Sequence, residues 1–414
     1  MARKNAGQYS SLGVYVHIPF CRSKCIYCDF YSVGRNEKSL ELMDSYVKAL
    51  QTHIKEGSER CPNHMVDTVY FGGGTPSYFG ADRLRTVYRT LQRCMNVSRT
   101  AEVTLEANPE TVTPKACDTL LRAGFNRISI GVQTNDDRTL KVLGRGHTWA
   151  GAVKAVENAR KAGFDNVSVD LMYGLPAQTP AQWADALGSV IDLKPDHISA
   201  YGLTVHKDTP LGRNVARAAL PNDDQQASMY LYAVQTLEAY GYHQYEISNF
   251  AQRGKECEHN IKYWLGGEYM SFGPSAASDF AGNRYTFLSD LQRYIRGVEK
   301  GDALTVESEY VPIKERAGEY IMMRMRTVYG IERKEYEKNF LMPFDPLEKL
   351  LLFYKNRGLA KVSSGGDWSF TPQGMLLSNS LIGALVDAQS KSTPLAGNTA
   401  LIGTQYTAVS NRRR

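Results

Sequence analysis

The sequence predicts an α/β protein with a small α+β unit after it. Three observations carry this. Short β-rich runs alternate with helical patterns from residue 13 to about 203. Glycine-rich and polar motifs recur just after those runs. From about 312 the order changes to helix, helix, hairpin, helix. Six β/α units in a row argue a parallel sheet with helices outside, open or curled into part of a barrel. Ligands then belong at the carboxyl ends of the strands.

The strands expected in that series are Val14–Ile18, Thr68–Phe71, Glu102–Glu106, Arg127–Ile130, Val167–Leu171 and His197–Tyr201. Between them apolar residues fall at helical spacing, as in Leu40, Met43, Val47, Leu50 and Ile54. A helix is expected near 222–241, then short strands around 243–247, 269–273 and 284–288. Helices at 313–326, 345–357 and 373–387 around a hairpin at 360–371 read as a winged-helix-like unit. The division expected is an arm at 1–12, a core at 13–240, a β-rich linking segment at 241–311, the C-terminal unit at 312–388 and a disordered tail at 389–414.

The composition is that of a globular chain: 414 residues, 43% hydrophobic and 22% charged. The net charge is +6, with Lys and Arg dispersed apart from Arg412-Arg413-Arg414. Without a basic stripe on the winged-helix-like unit, no nucleic-acid partner is expected. No apolar run reaches the roughly 18 residues that cross a bilayer. The opening Met1-Ala2-Arg3-Lys4-Asn5 has no apolar stretch of a secretory signal, so a reducing, cytoplasmic setting is expected.

The run Cys21-Arg22-Ser23-Lys24-Cys25-Ile26-Tyr27-Cys28 follows the first strand. Disulfides fit poorly with seven cysteines of which Cys61, Cys94, Cys117 and Cys257 are scattered. A zinc site would want a fourth ligand, and only His17 is near. Three thiolates on one loop instead suit three corners of a [4Fe–4S] cluster. The fourth iron is then open to the amino and carboxylate groups of S-adenosylmethionine (SAM).

Gly72-Gly73-Gly74-Thr75-Pro76 follows the second strand and lets backbone approach a ligand closely. Glu106 and Asp170 stand at or inside strand ends, where acids suit ribose hydroxyls or an ammonium; each reads equally well as a solvated or capping acid. Arg145 suits a carboxylate clamp or a surface position after a helix. Tyr15 suits the ligand's amine or the core. In His259-Asn260-Ile261-Lys262-Tyr263-Trp264 the histidine suits heme iron and the aromatic faces suit a porphyrin, with Cys257 a rival or second ligand. From residue type alone, packing of a loop between units explains His259 and Trp264 better.

Tyr15-Val16-His17-Ile18-Pro19-Phe20-Cys21 with Cys25, Cys28 and Phe30 resembles the coproporphyrinogen III oxidase-like branch of the radical SAM family. So do Gly72–Ser77, Ser129–Gln133 and Asp170–Pro176, and the likeness spans roughly 13–388. The resemblance implies a partial (β/α)6 barrel carrying a [4Fe–4S] cluster on Cys21, Cys25 and Cys28. It implies SAM contacts at Tyr15, Gly73, Gly74, Thr75, Glu106, Gln133, Arg145 and Asp170. The branch holds dehydrogenases, which decarboxylate coproporphyrinogen III, and heme chaperones. Phe30 where the dehydrogenases carry a fourth cysteine, the short arm and the H-N-x-x-Y-W motif resemble the chaperones. That resemblance implies heme as a third cofactor, contact through the motif, and heme-accepting partners, membrane-bound respiratory proteins among them. The chain is expected as a monomer or dimer. A SAM-dependent decarboxylase, a tetrapyrrole methyltransferase and a bare scaffold are the alternatives. Relatives carry Gly-x-Gly-Ala-His after the motif; here Gly273–Ser278 puts Ala277 at the histidine position, which weakens ligation by two histidines.

Overall fold

A computed structural model describes residues 9–214 and 219–395. Its centre is the expected parallel series: β1 (Ser10–Ile18), β2 (His64–Gly73), β3 (Val97–Ala107), β4 (Arg127–Gln133), β5 (Asn166–Tyr173) and β6 (His197–Gly202). A helix covers each connection: Glu37–Ser58, Ala81–Cys94, Pro114–Ala123, Trp149–Ala162 and Pro180–Asp192, with Asp223–Ala239 after β6. Residues 10–12, expected in the arm, belong to β1.

Each central strand separates its two faces by the two-residue period. Val14, Val16 and Ile18, then Val69 and Phe71, then Val103 and Leu105, lie in the apolar core under the helices. The opposite face is polar. Tyr15 is level with Tyr70, Glu106 with Ser129, Ser168 with His197, and Asp170 with Ser199. A barrel lined in this way is built to hold something other than hydrocarbon side chains.

The segment after 241 extends the sheet at both edges. β7 (His243–Gln244) and β8 (Asn249–Ala251) join antiparallel beside β6. β9 (Tyr269–Phe272) pairs parallel with β1, and β10 (Ala277–Phe280), β11 (Asn283–Phe287) and β12 (Thr305–Tyr310) continue antiparallel. The resulting twelve-stranded sheet is open, with β12 and β7 at its ends, so the six units form a partial barrel. The expected strand at 243–247 is only the two-residue β7; Glu246 bridges to Thr327, and β8 follows beyond the expected range.

The C-terminal unit holds helices Ile313–Arg324, Arg333–Phe340, Asp345–Lys355, Pro372–Leu376 and Ser378–Ser390, with the hairpin β13 (Ala360–Val362) and β14 (Trp368–Phe370). The helix expected at 373–387 is thus two helices that break at Leu377. The second runs into the range assigned to the tail; residues 396–414 of that tail lie outside the described residues.

Candidate functional site

The cysteine loop leaves β1 and is tied at both ends. Cys21 N–H donates to Val33 O at 3.0 Å, and Ile26 N–H donates to Leu143 O at 3.2 Å. All three cysteines are free thiols. Burial raises the Cys21 and Cys28 thiols, and each feels the neighbouring Cys25. Two polar groups aim at the sulfurs: Thr75 Oγ1 donates to Cys21 Sγ at 3.6 Å, and Arg145 Nη1 to Cys25 Sγ at 3.6 Å. Among the described residues no three His, Cys, Asp or Glu side chains converge as they would on a single metal ion. A cubane takes one thiolate per iron, so its ligands splay around a body instead of meeting at a point. Three thiols on one loop, two of them facing hydrogen-bond donors that thiolates accept, fit such a cluster.

The glycine run lies beside this loop. Gly74 N–H donates to Ile18 O at 2.9 Å and Thr75 N–H to Phe20 O at 2.8 Å. A Cβ on Gly74 would meet backbone of Ile18 and Phe20 within 3.0 Å, so only glycine permits this approach.

Glu106 stands at the end of β3 with both oxygens engaged. Tyr70 OH donates to Oε1 at 2.8 Å and Gly73 N–H to Oε2 at 3.1 Å. Burial, with help from the nearby Asp170 carboxylate, pushes the Glu106 carboxyl up to about 7 against those donors. Asp170 is also raised by burial, while Ser129 Oγ donates to it at 3.0 Å and Ser199 adds a second hydroxyl. Tyr15 OH meets His17 Nδ1 at 3.1 Å, and its ring stacks on Tyr70. Gln133 ends β4 with φ of 70° after a register shift at Gly131. Such left-handed backbone in a non-glycine residue is held only where surrounding structure enforces it, and it concentrates at sites.

Arg145 is more constrained than a bare clamp. Nη2 donates to Asn108 Oδ1 at 2.8 Å and to Gly131 O at 2.5 Å, in addition to the Cys25 contact through Nη1. These three bonds use three of the five N–H donors of a guanidinium. The structure brings Thr75 and Arg145 against the cysteine loop and Gly74 against its start; Gly73, Glu106 and Asp170 form a neighbouring group that Tyr15 joins through Tyr70, and Gln133 lies with Arg145 over Gly131. Sequence reasoning assigned no role to Asn108, Tyr70, Ser129 or Ser199. Asn108 sat in view beside Pro109; Tyr70 read as an ordinary strand aromatic.

The H-N-x-x-Y-W motif forms the helix Glu258–Trp264 at the floor of the barrel. Glu102 accepts from the N–H groups of Glu258 at 2.9 Å and His259 at 3.0 Å, and the Cys257 thiol donates to it at 3.6 Å. His259 is fully buried, with Nδ1 hydrogen-bonded to Thr68 Oγ1 at 2.9 Å and Nε2 to Tyr263 OH at 2.7 Å. Burial, with Lys262 and Arg127 nearby, holds its pKa at about 3. In this arrangement neither ring nitrogen of His259 is open to an iron, and the fully buried Cys257 faces Glu102. Tyr263 meets Tyr269 edge-on, whereas Trp264 lines a groove with Tyr320, Met323 and Phe340.

These features define a radical SAM protein, and residues 15–190 match the family model described as the radical SAM superfamily. The chain is 32% identical to the heme chaperone HemW of Bacillus subtilis, over 90% of this chain and 98% of that one. The identity to the Escherichia coli heme chaperone HemW is also 32%, over 90% and 97%. The chain belongs to the HemW family, within the coproporphyrinogen III oxidase-like branch of the radical SAM proteins. The solved structure of coproporphyrinogen III oxidase (HemN) from Escherichia coli superimposes with a TM-score of 0.80. It covers 93% of this chain and 91% of that one at 22% identity, a likeness of fold. Radical SAM membership implies a [4Fe–4S] cluster and SAM. Among the described residues no helix is long and apolar enough to cross a membrane.

Proposed function

We propose that this protein binds heme and hands it to acceptor proteins in the cytoplasm or at the membrane surface, while holding a [4Fe–4S] cluster with SAM. The observation that carries the reading is the 32% identity to heme chaperones along nearly their whole length. Phe30 supports it: the position of a fourth cysteine in the dehydrogenases holds a phenylalanine that is 65% exposed. Cys21, Cys25 and Cys28 would hold the cluster, which supplies one-electron reduction of the SAM sulfonium when present. Tyr15, Gly73, Gly74 and Thr75 would flank the SAM methionine end. Arg145 would meet its carboxylate, and Glu106, Gln133 and Asp170 its polar hydroxyl and amine groups. Trp264, facing its groove, is the motif residue best placed for a porphyrin face; His259 and Cys257 serve the barrel floor.

Coproporphyrinogen III dehydrogenase activity is the second reading, supported by the presence of every residue that the family resemblance assigns to SAM. One experiment separates the two. Anaerobically reconstituted protein receives dithionite, SAM and coproporphyrinogen III, and in parallel hemin followed by an apo-hemoprotein. The expected result is stoichiometric hemin uptake, transfer to the acceptor and no protoporphyrinogen. Sustained conversion of coproporphyrinogen III would replace the chaperone reading by the enzyme. Cys25→Ala should lose the cluster absorbance near 400 nm, and Cys61→Ala should keep it.

A further inference from the structure

One packed column of side chains joins the floor of the barrel to the proposed SAM shell. Thr68, Tyr70 and Gly72 follow one another on the same face of β2. At the bottom, Tyr263 and Thr68 hold the two nitrogens of His259. The imidazole lies against the Tyr70 ring, with centroids 5.3 Å apart and planes 24° apart. Above it, Tyr70 OH donates to Glu106 Oε1, and the Tyr15 ring stacks on Tyr70 at 6.2 Å. There is no slack at the top. A Cβ on Gly72 would sit 3.0 Å from Tyr15, 3.0 Å from Tyr70 and 3.1 Å from Glu106.

We propose that His259 and Tyr70 are positioning residues of the SAM site: the doubly held imidazole props the Tyr70 ring, whose hydroxyl aims the Glu106 carboxylate at the ligand. The proposal rests on Glu106 as a SAM contact, and it gives the histidine of the motif a task at SAM. A carboxylate held by two donors from different directions, Tyr70 OH and Gly73 N–H, has one orientation. Without the hydroxyl only the Gly73 bond remains, and the group can swing about it. Without the imidazole the Tyr70 ring loses its floor, and Thr68 and Tyr263 lose their shared partner. A histidine that merely fills the core would lower stability when replaced and leave SAM affinity of the folded protein alone.

The test uses full-length, anaerobically reconstituted protein as wild type, Tyr70→Phe, Thr68→Val, His259→Ala and His259→Phe. Iron content, SAM affinity by calorimetry and the electron paramagnetic resonance spectrum of the reduced cluster with and without SAM are measured. The expected result is full iron loading in each, with SAM binding weakened about tenfold in Tyr70→Phe, as loss of a hydrogen bond to a charged group gives. The spectral response to SAM should change with it. His259→Ala should move the same way. His259→Phe, which keeps a flat ring beneath Tyr70, should recover most of the affinity. Should His259→Ala fail to fold, Tyr70→Phe and Thr68→Val decide. SAM affinity within about twofold of wild type and an unchanged spectral response in Tyr70→Phe and Thr68→Val would overturn the positioning role. A wild type that shows no SAM response would overturn the underlying SAM reading as well.

Discussion

Glu106 is a carboxyl whose environment works against its charge. Its pKa is raised from the ordinary 4.5 to about 7, first by burial and then by Asp170. A group with a raised acid pKa makes the folded state the tighter proton binder. Its stabilising effect is present below about pH 4.5 and is lost as pH rises to about 7. Glu106→Gln cannot ionise. Without SAM it should therefore be more stable than wild type at pH 8, by on the order of 1–3 kcal/mol, with the difference shrinking toward pH 4.5. Urea titrations at pH 5 and pH 8 check this; an equal difference at both would contradict the assignment. For the ligand the sign reverses, because an ionised acid accepts from hydroxyls and pairs with an ammonium. Arg145→Ala and Asp170→Ala should each weaken SAM binding by about 1.5–3 kcal/mol with iron content intact. Calorimetry with unchanged SAM affinity in both would remove them from the site.

The helix Glu258–Trp264 shows what an element owes to its surroundings. Seven residues are too short to stand alone in water. Its first N–H groups are met by Glu102, a carboxylate from another element, since the N-cap residue Cys257 makes no side-chain cap bond. Arg127 lies in the same floor, 2% exposed, and feels the Glu102 charge. Glu102→Ala should leave those buried donors unmet, costing on the order of 1–3 kcal/mol. Chemical denaturation measures it; a loss below 1 kcal/mol would show the floor to be permissive. This helix was absent from the sequence reading because so few residues carry no visible period. The edge strand β12 escaped for another reason: its six residues are all exposed, so no apolar alternation marks it. The helix Leu291–Lys300 does carry a visible signal, with Leu291, Tyr294, Ile295 and Val298 buried at helical spacing.

Across the whole molecule one apolar core runs from the barrel into the C-terminal hairpin, including Trp183, Tyr336, Trp368 and Phe370. Polar contacts stitch the same boundary. Arg316 pairs with Asp279 of β10, Arg284 of β11 with Glu319 at 2.7 Å, and Tyr230 OH meets Met375 Sδ at 3.5 Å. Continuous packing of this kind should make the parts unfold together. Trp183, behind the barrel, and Trp368, on the hairpin, are both buried and report on the two ends. Single-tryptophan variants that keep one or the other should melt at the same temperature; separate transitions would show two independent units.

The class of fold is legible in the sequence, and so is the fall of its motifs after successive strands. Strand periodicity, helical spacing and the position of each motif after a strand are local properties, so they survive without coordinates. That is why the cysteine loop, the glycine run and the acids Glu106 and Asp170 could be placed after or within strands, whereas their grouping with Arg145 as one ligand shell came from the family resemblance. What the three-dimensional packing decided is how those groups are held. Whether His259 offers a nitrogen or spends both depends on Thr68, which is 191 residues away. Whether Glu106 is aimed depends on Tyr70, and whether Arg145 is open depends on Asn108 and Gly131. Hydrogen-bond satisfaction and burial are pairwise facts between distant segments, and only the tertiary structure brings those segments together.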